Sequence, residues 1–269
     1  QSLLFGWIAV YMDEGDAPLA ERRAAALALD RDLLRELLGS EELRELIDPD
    51  VLADLELELQ RLVEGRRARD ADELHDLLRV LGPLTLDELD IRSEGRAQTW
   101  LDDLVAARRA YPAGIAGEER WAATDDAGRL RDALGVAVPV GLPAAFTEPV
   151  GDPMADLVAR YARTHGPFTA HEVAARYGVG ADRLLPALER LEADGRVLRG
   201  EFRPGGHERE WTDPDVLRTL RRRSLAALRR EVEPVEGDAL ARFLPEWHHV
   251  GSPRRGLDAL IDVVAQLQG

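Results

Sequence analysis

An internal repeat constrains this chain more than any single motif. Gly82-Pro83-Leu84-Thr85-Leu86-Asp87-Glu88-Leu89 is matched, 84 residues on, by Gly166-Pro167-Phe168-Thr169-Ala170-His171-Glu172-Val173. Self-similarity of this kind signals two copies of one supersecondary unit. In each copy Gly-Pro ends a preceding helix. Thr with Glu three residues on then forms a capping box that starts the next. A third helix is predicted over 96–109 and again over 181–194. Its core stripe is Trp100, Leu101, Leu104 and Val105 in the first copy, and Leu184, Leu185, Leu188 and Leu191 in the second. Arg183, Ala187 and Arg190 fall off that stripe. Each third helix leads into a hairpin, with strands over 110–115 and 119–123, then 196–203 and 208–212. Both hairpins close on a tryptophan, Trp121 and Trp211. This order of elements is a winged helix.

The fold expected is therefore mainly α. An N-terminal helical segment (1–69) precedes one winged helix (70–137) and a second (152–230), the two joined by a linker at 138–153 that is rich in Pro and Gly. A tail (231–269) carries one helix over 256–268 and an aromatic-rich turn over 243–249. Within the first segment Asp48-Pro49 breaks the helical pattern, and a new helix over 50–63 carries Val51, Leu52, Leu55, Leu59 and Leu62 on one face. The apolar run from Leu3 to Met12 leads into Asp13-Glu14 without a basic flank, so it reads as a core helix and not as a signal peptide. No apolar run approaches the roughly 18 residues of a membrane span. A chain that starts at Gln1 and stops at Gly269 reads as an excerpt of something longer, at home in the cytoplasm.

Composition removes several chemistries. All 35 basic residues are arginine, and cysteine is absent. There is no lysine for a phosphate-binding loop or a Schiff base, and no thiolate for a metal or a nucleophile. The six histidines are scattered, so no metal site is expected. With 51 carboxylates, no acidic pair stands out as an acid–base couple.

The net charge of −16 is unevenly spread, with acids dominating before residue 150 and a small positive excess over 151–230. Only that block suits a phosphate backbone. In a winged helix the third helix enters the major groove and the wing touches the backbone. The candidate DNA contacts are Arg176 at the end of the second helix, Arg183 and Arg190 on the third, Arg196, Arg199, Arg203 and Arg209 on the hairpin, and Arg222 on the arginine-rich helix after it. Strand alternation would put Arg199 and Arg203 on one face. Asp102 and Asp103 on the first copy's third helix favour a structural role for that copy. The competing reading makes these arginines ordinary surface cations on a protein-packing module. It makes the arginine-rich helix a solvated amphipathic one. Trp7, Trp100, Trp121 and Trp211 read as core; Trp247 either packs or stacks on a base.

Several strings, taken together, resemble one family. They are Asp16-Ala17-Pro18-Leu19-Ala20-Glu21-Arg22-Arg23 with the Ala-rich stretch to Gly39, Glu208-Arg209-Glu210-Trp211, the run 221–229, Leu240-Ala241-Arg242-Phe243-Leu244-Pro245-Glu246-Trp247 and Gln266-Leu267-Gln268-Gly269. The chain is similar along nearly its whole length to the DEAD/H-associated region of large helicase-related (Lhr) proteins and the start of their C-terminal winged-helix part. The resemblance implies a parent that is an ATP-dependent 3′-to-5′ DNA helicase acting in DNA repair. ATP and Mg would belong to motor domains upstream, and no cofactor or catalytic residue to this stretch. The implied partners are DNA and the neighbouring motor and C-terminal domains, with no membrane. Two readings stay open: a non-catalytic DNA-engaging accessory region, or a scaffold joining the helicase core to the C-terminal part. A stand-alone regulator fits less well, and glycosylase activity is a remote option carried only by Gln266-x-Gln268.

Overall fold

The computed structural model describes Arg44 and residues 47–231, 237–247 and 256. The helices expected before residue 44, with Trp7, and the terminal helix over 256–268 lie outside the described residues, apart from Gly256.

Helix α1 (Pro49–Leu59) opens on Asp48, whose carboxylate accepts from the amides of Asp50 and Val51, with Pro49 at the first helical position. Asp48-Pro49 is thus a helix start, because proline there gives up only an amide that no helix bond uses. The helix ends earlier than the apolar pattern suggested. Arg61 adopts φ 58, a left-handed backbone that no helix continues through.

The first copy consists of α2 (Ala71–Leu81), α3 (Leu86–Asp90), α4 (Ala97–Ala106), β1 (Ala110–Ile115) and β2 (Glu118–Ala123), followed by a 3-10 turn (Thr124–Asp126) and α5 (Ala127–Leu134). The second consists of α6 (Pro153–Thr164), α7 (Ala170–Tyr177), α8 (Ala181–Ala193), β3 (Leu198–Gly200), β4 (Glu210–Thr212) and α9 (Pro214–Glu231). Both capping boxes form, on Thr85 with Glu88 and on Thr169 with Glu172.

The copies agree in backbone detail. Pro112 pairs with Trp121 as Arg199 pairs with Trp211, and Leu84 bridges Trp121 as Phe168 bridges Trp211. Arg109 and Arg196 each return their amide to the last turn of the third helix, on Leu104 and Leu191, at 2.8 Å. The residue before each is left-handed, Arg108 and Gly195.

The second hairpin is shorter than its sequence suggested. Glu210 turns its carboxylate inward and accepts from the Phe202 amide at 2.8 Å and from Arg44 at 3.0 Å, so a side chain replaces further ladder bonds. Arg203 consequently lies beyond β3 and shares no strand face with Arg199. Val105 and Leu185, expected in the core, are exposed, whereas Ala187 is buried. The apolar stripes are therefore narrower and rotated from the periodicity. The stretch 243–247, read as part of a turn, is the end of a helix, α10 (Gly237–Trp247), in which Phe243 lies 5.2 Å from Trp247.

The chain divides into two units at Leu228–Arg229, and α10 belongs to the second. Within the first unit the two winged helices share a core. Tyr111, Ala113, Ile115 and Ala122 of the first hairpin cluster with Val158, Phe168, Leu184, Leu188 and Trp211 of the second copy. The connecting stretch packs too: Val138 and Leu142 lie against that core, and Arg131 donates to the Thr147 carbonyl at 2.8 Å. Helix α9 closes the other side, with Val216 and Leu220 against Ile47 and Leu55.

The tip of the first hairpin meets the end of α7 closely. Gly178 has φ +65, and a Cβ there would sit 2.6 Å from Cα of Ala116. Gly195 has φ +67 with open space around it. G178A should therefore lose about 2–3 kcal/mol and G195A only about 1 kcal/mol, since both carry the left-handed penalty but only one adds a backbone clash. Thermal or urea unfolding of the two variants checks this.

Candidate nucleic-acid interface

The eight candidate arginines fall into three groups. Arg176 and Arg203 are internal clamps. Arg176 sits in the last turn of α7 and reaches back to the first copy. It donates to the Pro83 carbonyl at 2.7 Å and forms an ion pair with Glu88. Arg203, on the loop after β3, donates to the Pro167 carbonyl at 2.5 Å and to both Glu172 oxygens at 2.8 and 2.7 Å. The two sites have one design. The repeated motif presents a proline carbonyl beside the carboxylate that caps the next helix, and a guanidinium bridges them. A planar fork of five donors can serve both acceptors together, which an ammonium point charge does less well.

The counterpart of Arg176 in the first copy, Arg92, reaches back in the same sense, to the carbonyl and Oε1 of Gln60, both at 2.8 Å. Each second helix is thus tied to the element that precedes it.

Arg183 and Arg190 form the second group. They lie on α8 and contact the first copy and the connection. Arg183 donates to the Ala133 carbonyl in the last turn of α5 at 3.3 Å, and Arg190 pairs with Asp152, the N-cap of α6, at 3.0 Å. Their neighbours on the exposed faces of α8 include Asp182, Glu189, Glu192 and Asp194. That helix does not present a cationic surface.

Arg196, Arg199, Arg209 and Arg222 form the third group and are exposed. Arg199 lies over the Trp211 ring, 5.1 Å from its centre, and Arg209 is 3.9 Å from Glu201. Arg196 starts the hairpin. Arg222 lies on α9, where Arg223 instead makes a bidentate pair with Glu58 at 2.7 and 2.9 Å. Trp211 is buried as expected, and Trp100 and Trp121 pack at the edge of the first copy's core.

Sequence reasoning missed the strongest electrostatic feature. Arg160, Asp126 and Arg129 form a buried cluster, in which Arg160 engages both oxygens of Asp126, at 2.7 Å for Nη2. The signal was present: position 160 carries arginine where the repeat has Asp76. No group of three or more His, Asp or Glu suited to a metal ion occurs among the described residues. No helix among them is long and apolar enough to cross a membrane.

Residues 45–149 match a family model described as "Large helicase-related protein, winged-helix domain", and residues 235–269 match a second model with that description. Together the two cover just over half of the chain. Among curated proteins, the chain is 56% identical over its whole length to "Lhr helicase/ probable uracil glycosylase" of Mycolicibacterium smegmatis. It is 42% identical over its whole length to "Lhr helicase/uracil glycosylase" of Escherichia coli. The chain spans 18% of the length of each.

The clamps and the exposed arginines should separate in stability measurements. R176Q and R203Q should each cost about 1 kcal/mol, because partly buried pairs are lost, whereas R209Q should leave unfolding unchanged. Burial is the largest single influence on Glu88 and Glu172 and opposes their ionisation, but hydrogen bonds and charge from Arg176 and Arg203, together with the N-cap amide, outweigh it and hold both carboxyls below the ordinary value of 4.5. A depressed folded pKa stabilises above the unfolded value and is lost as pH falls through the folded one. The gap between wild type and either clamp variant should therefore be full at neutral pH and shrink below pH 4.5.

Proposed function

The chain belongs to the large helicase-related family, and on that premise we propose that this region is a non-catalytic, DNA-engaging part of an ATP-driven 3′-to-5′ DNA helicase. ATP and Mg are handled by motor domains elsewhere in that protein. The region holds the strand or duplex near the motor, working in the cytoplasm on DNA under repair. The helicase and glycosylase activities named for the two relatives belong to proteins of which this chain spans 18%, and no residue of the arginine groups or the buried cluster is assigned to either reaction.

The observation that carries the reading is the separation of the arginines. Arg176 and Arg203 are engaged internally and the exposed Arg183 and Arg190 are bonded to the first copy and the connection, while Arg196, Arg199 and Arg209 are exposed around the second hairpin. Guanidinium groups at a wing suit phosphate oxygens. The acids on α8 argue against insertion of that helix into a major groove, so the contact is to the backbone with little reading of bases. Arg222 extends the basic surface along α9. Arg176, Arg183, Arg190 and Arg203 leave the contact set and become positioning residues for the wing.

The scaffold reading also has an observation behind it. The first hairpin is spent on packing, with its tip against Gly178 and one face in the shared core. A tandem locked in this way would serve equally as a rigid strut between the helicase core and the C-terminal part.

Fluorescence anisotropy with single-stranded, duplex and forked DNA across a salt series separates the two. Wild type should bind with a steep salt dependence. R199Q/R209Q should weaken all sequences alike and reduce the salt slope by about 2. Binding that R199Q/R209Q leaves untouched would refute the wing assignment. Absence of wild-type binding even at low salt would select the scaffold.

A further inference from the structure

The two copies can be compared position by position, and at one place they differ in a way that leaves charge uncompensated. In the first copy Arg79 and Arg109 each have a carboxylate partner, Asp125 and Asp72, and Arg109 also meets His75. Nε of Arg79 is 3.1 Å from Asp125. Arg109 reaches Asp72 at 2.5 Å and Nδ1 of His75 at 3.1 Å. The imidazole is buried between α2 and the hairpin base.

The repeat, aligned on Gly82/Gly166, Leu104/Leu191 and Trp121/Trp211, gives the counterparts Ala159, Arg163, Arg196, Asp156 and Asp215. Both arginines are kept, but their surroundings are not. Ala159 has no ring, and a 220 Å³ cavity opens there, lined by Ala159, Arg163, Arg196, Asp213, Pro214 and Asp215. The partner that Arg196 should inherit, Asp156, is held by Arg129 at 3.3 Å. The partner that Arg163 should inherit, Asp215, pairs with Arg218 at 2.5 Å. The remaining acid, Asp213, accepts from the amides of Asp215 and Val216 as the cap of α9. Among the described residues, neither Arg163 nor Arg196 has a carboxylate within 4.0 Å.

We infer that this cavity is a phosphate-binding site, with Arg163 and Arg196 as its two guanidinium ligands. Two exposed arginines lining one cavity can each offer a two-donor edge to a tetrahedral oxyanion. The volume holds a phosphate with several waters, given that a water occupies about 30 Å³ of liquid. The two acids that also line the cavity are already engaged, Asp213 by helix amides and Asp215 by Arg218, which leaves the two arginines as its uncommitted charges. The source of the phosphate is a nucleic-acid phosphodiester; that assignment rests on the proposed DNA-engaging function, whereas the site itself does not.

Two variants test it without touching the wing arginines. A159H restores the ring that fills the first copy, and R163Q removes one ligand. The readout is the Nε–H signals of Arg163 and Arg196 in NMR spectra of the whole chain, with the amide spectrum reporting that each variant is folded. Inorganic phosphate should move both signals in wild type. A159H and R163Q should each weaken that response roughly tenfold or more. Duplex DNA should move the same two signals, and R163Q should lower the salt slope of DNA binding by about 1. If inorganic phosphate leaves both signals in place in wild type, the site is overturned. If phosphate moves them and bound DNA does not, the phosphodiester assignment is overturned and free phosphate is the ligand. Wild type that binds no DNA at all defeats the functional reading alone, because the phosphate titration still reads the cavity.

Discussion

The arrangement of the tandem depends on one buried ion pair, between Asp126 at the end of the first hairpin's 3-10 turn and Arg160 on the first helix of the second copy. Taking both charges out of water is expensive, and only good geometry with further hydrogen bonds compensates it. Here the guanidinium meets both carboxylate oxygens, and Arg129 approaches the same carboxylate from α5. Gly82, the helix-ending glycine of the repeat, lies beside the pair: a Cβ there would be in ordinary contact, 3.4 Å from Nη1 of Arg160. Replacing either partner would strand a charge in the interior. The pair therefore fixes where the second copy sits on the first more strictly than apolar packing alone could.

With that placement set, the use of the remaining surface is largely decided. The first hairpin turns one face into the shared core and its tip onto the end of α7, so it is not a free wing. Helix α8 spends Arg183 on the last turn of α5, where unpaired carbonyls attract a cation, and Arg190 on the cap of α6. The surface left for a partner is the second hairpin, its base and α9. Exposed arginines around the second hairpin and on α9 give this region of an acidic chain a surface where a phosphate backbone would meet less repulsion.

Much of this was legible in the sequence. The repeat, both capping boxes and the tryptophan at each hairpin end are local signals, and local signals survive tertiary packing. The roles of the arginines were not legible, because spacing on a strand or helix says nothing about which acid lies across the fold. Arg203 was read as half of a strand face, yet the inward turn of Glu210 ended the strand before it. Arg176 was read as a DNA contact, although the carboxylate that holds it, Glu88, belongs to the other copy. Leu185 and Val105 have the right period for the core but lie at the edge of their helices' apolar faces and are exposed. The extent of α10 escaped because Pro245 and its aromatic neighbours read as a turn.

The repeated Gly-Pro-x-Thr-x-x-Glu string also does more than start a helix. A capping glutamate spends one oxygen on the N-cap amide, and a carboxylate has roughly four acceptor positions, so most of its capacity is unused. The proline carbonyl beside it is likewise unclaimed by any helix. Side by side they form a seat for a guanidinium, and each copy fills that seat differently. The second copy uses Arg203 of its own hairpin loop. The first hairpin turns on Ala116-Gly117, and its own Arg120 stays 3.6 Å from Glu88 without reaching the proline carbonyl, so the seat is filled by Arg176 of the second copy. Glu88 thereby carries charge from both copies, Arg120 of its own hairpin and Arg176 of the next, so the carboxylate that caps a helix also joins the tandem.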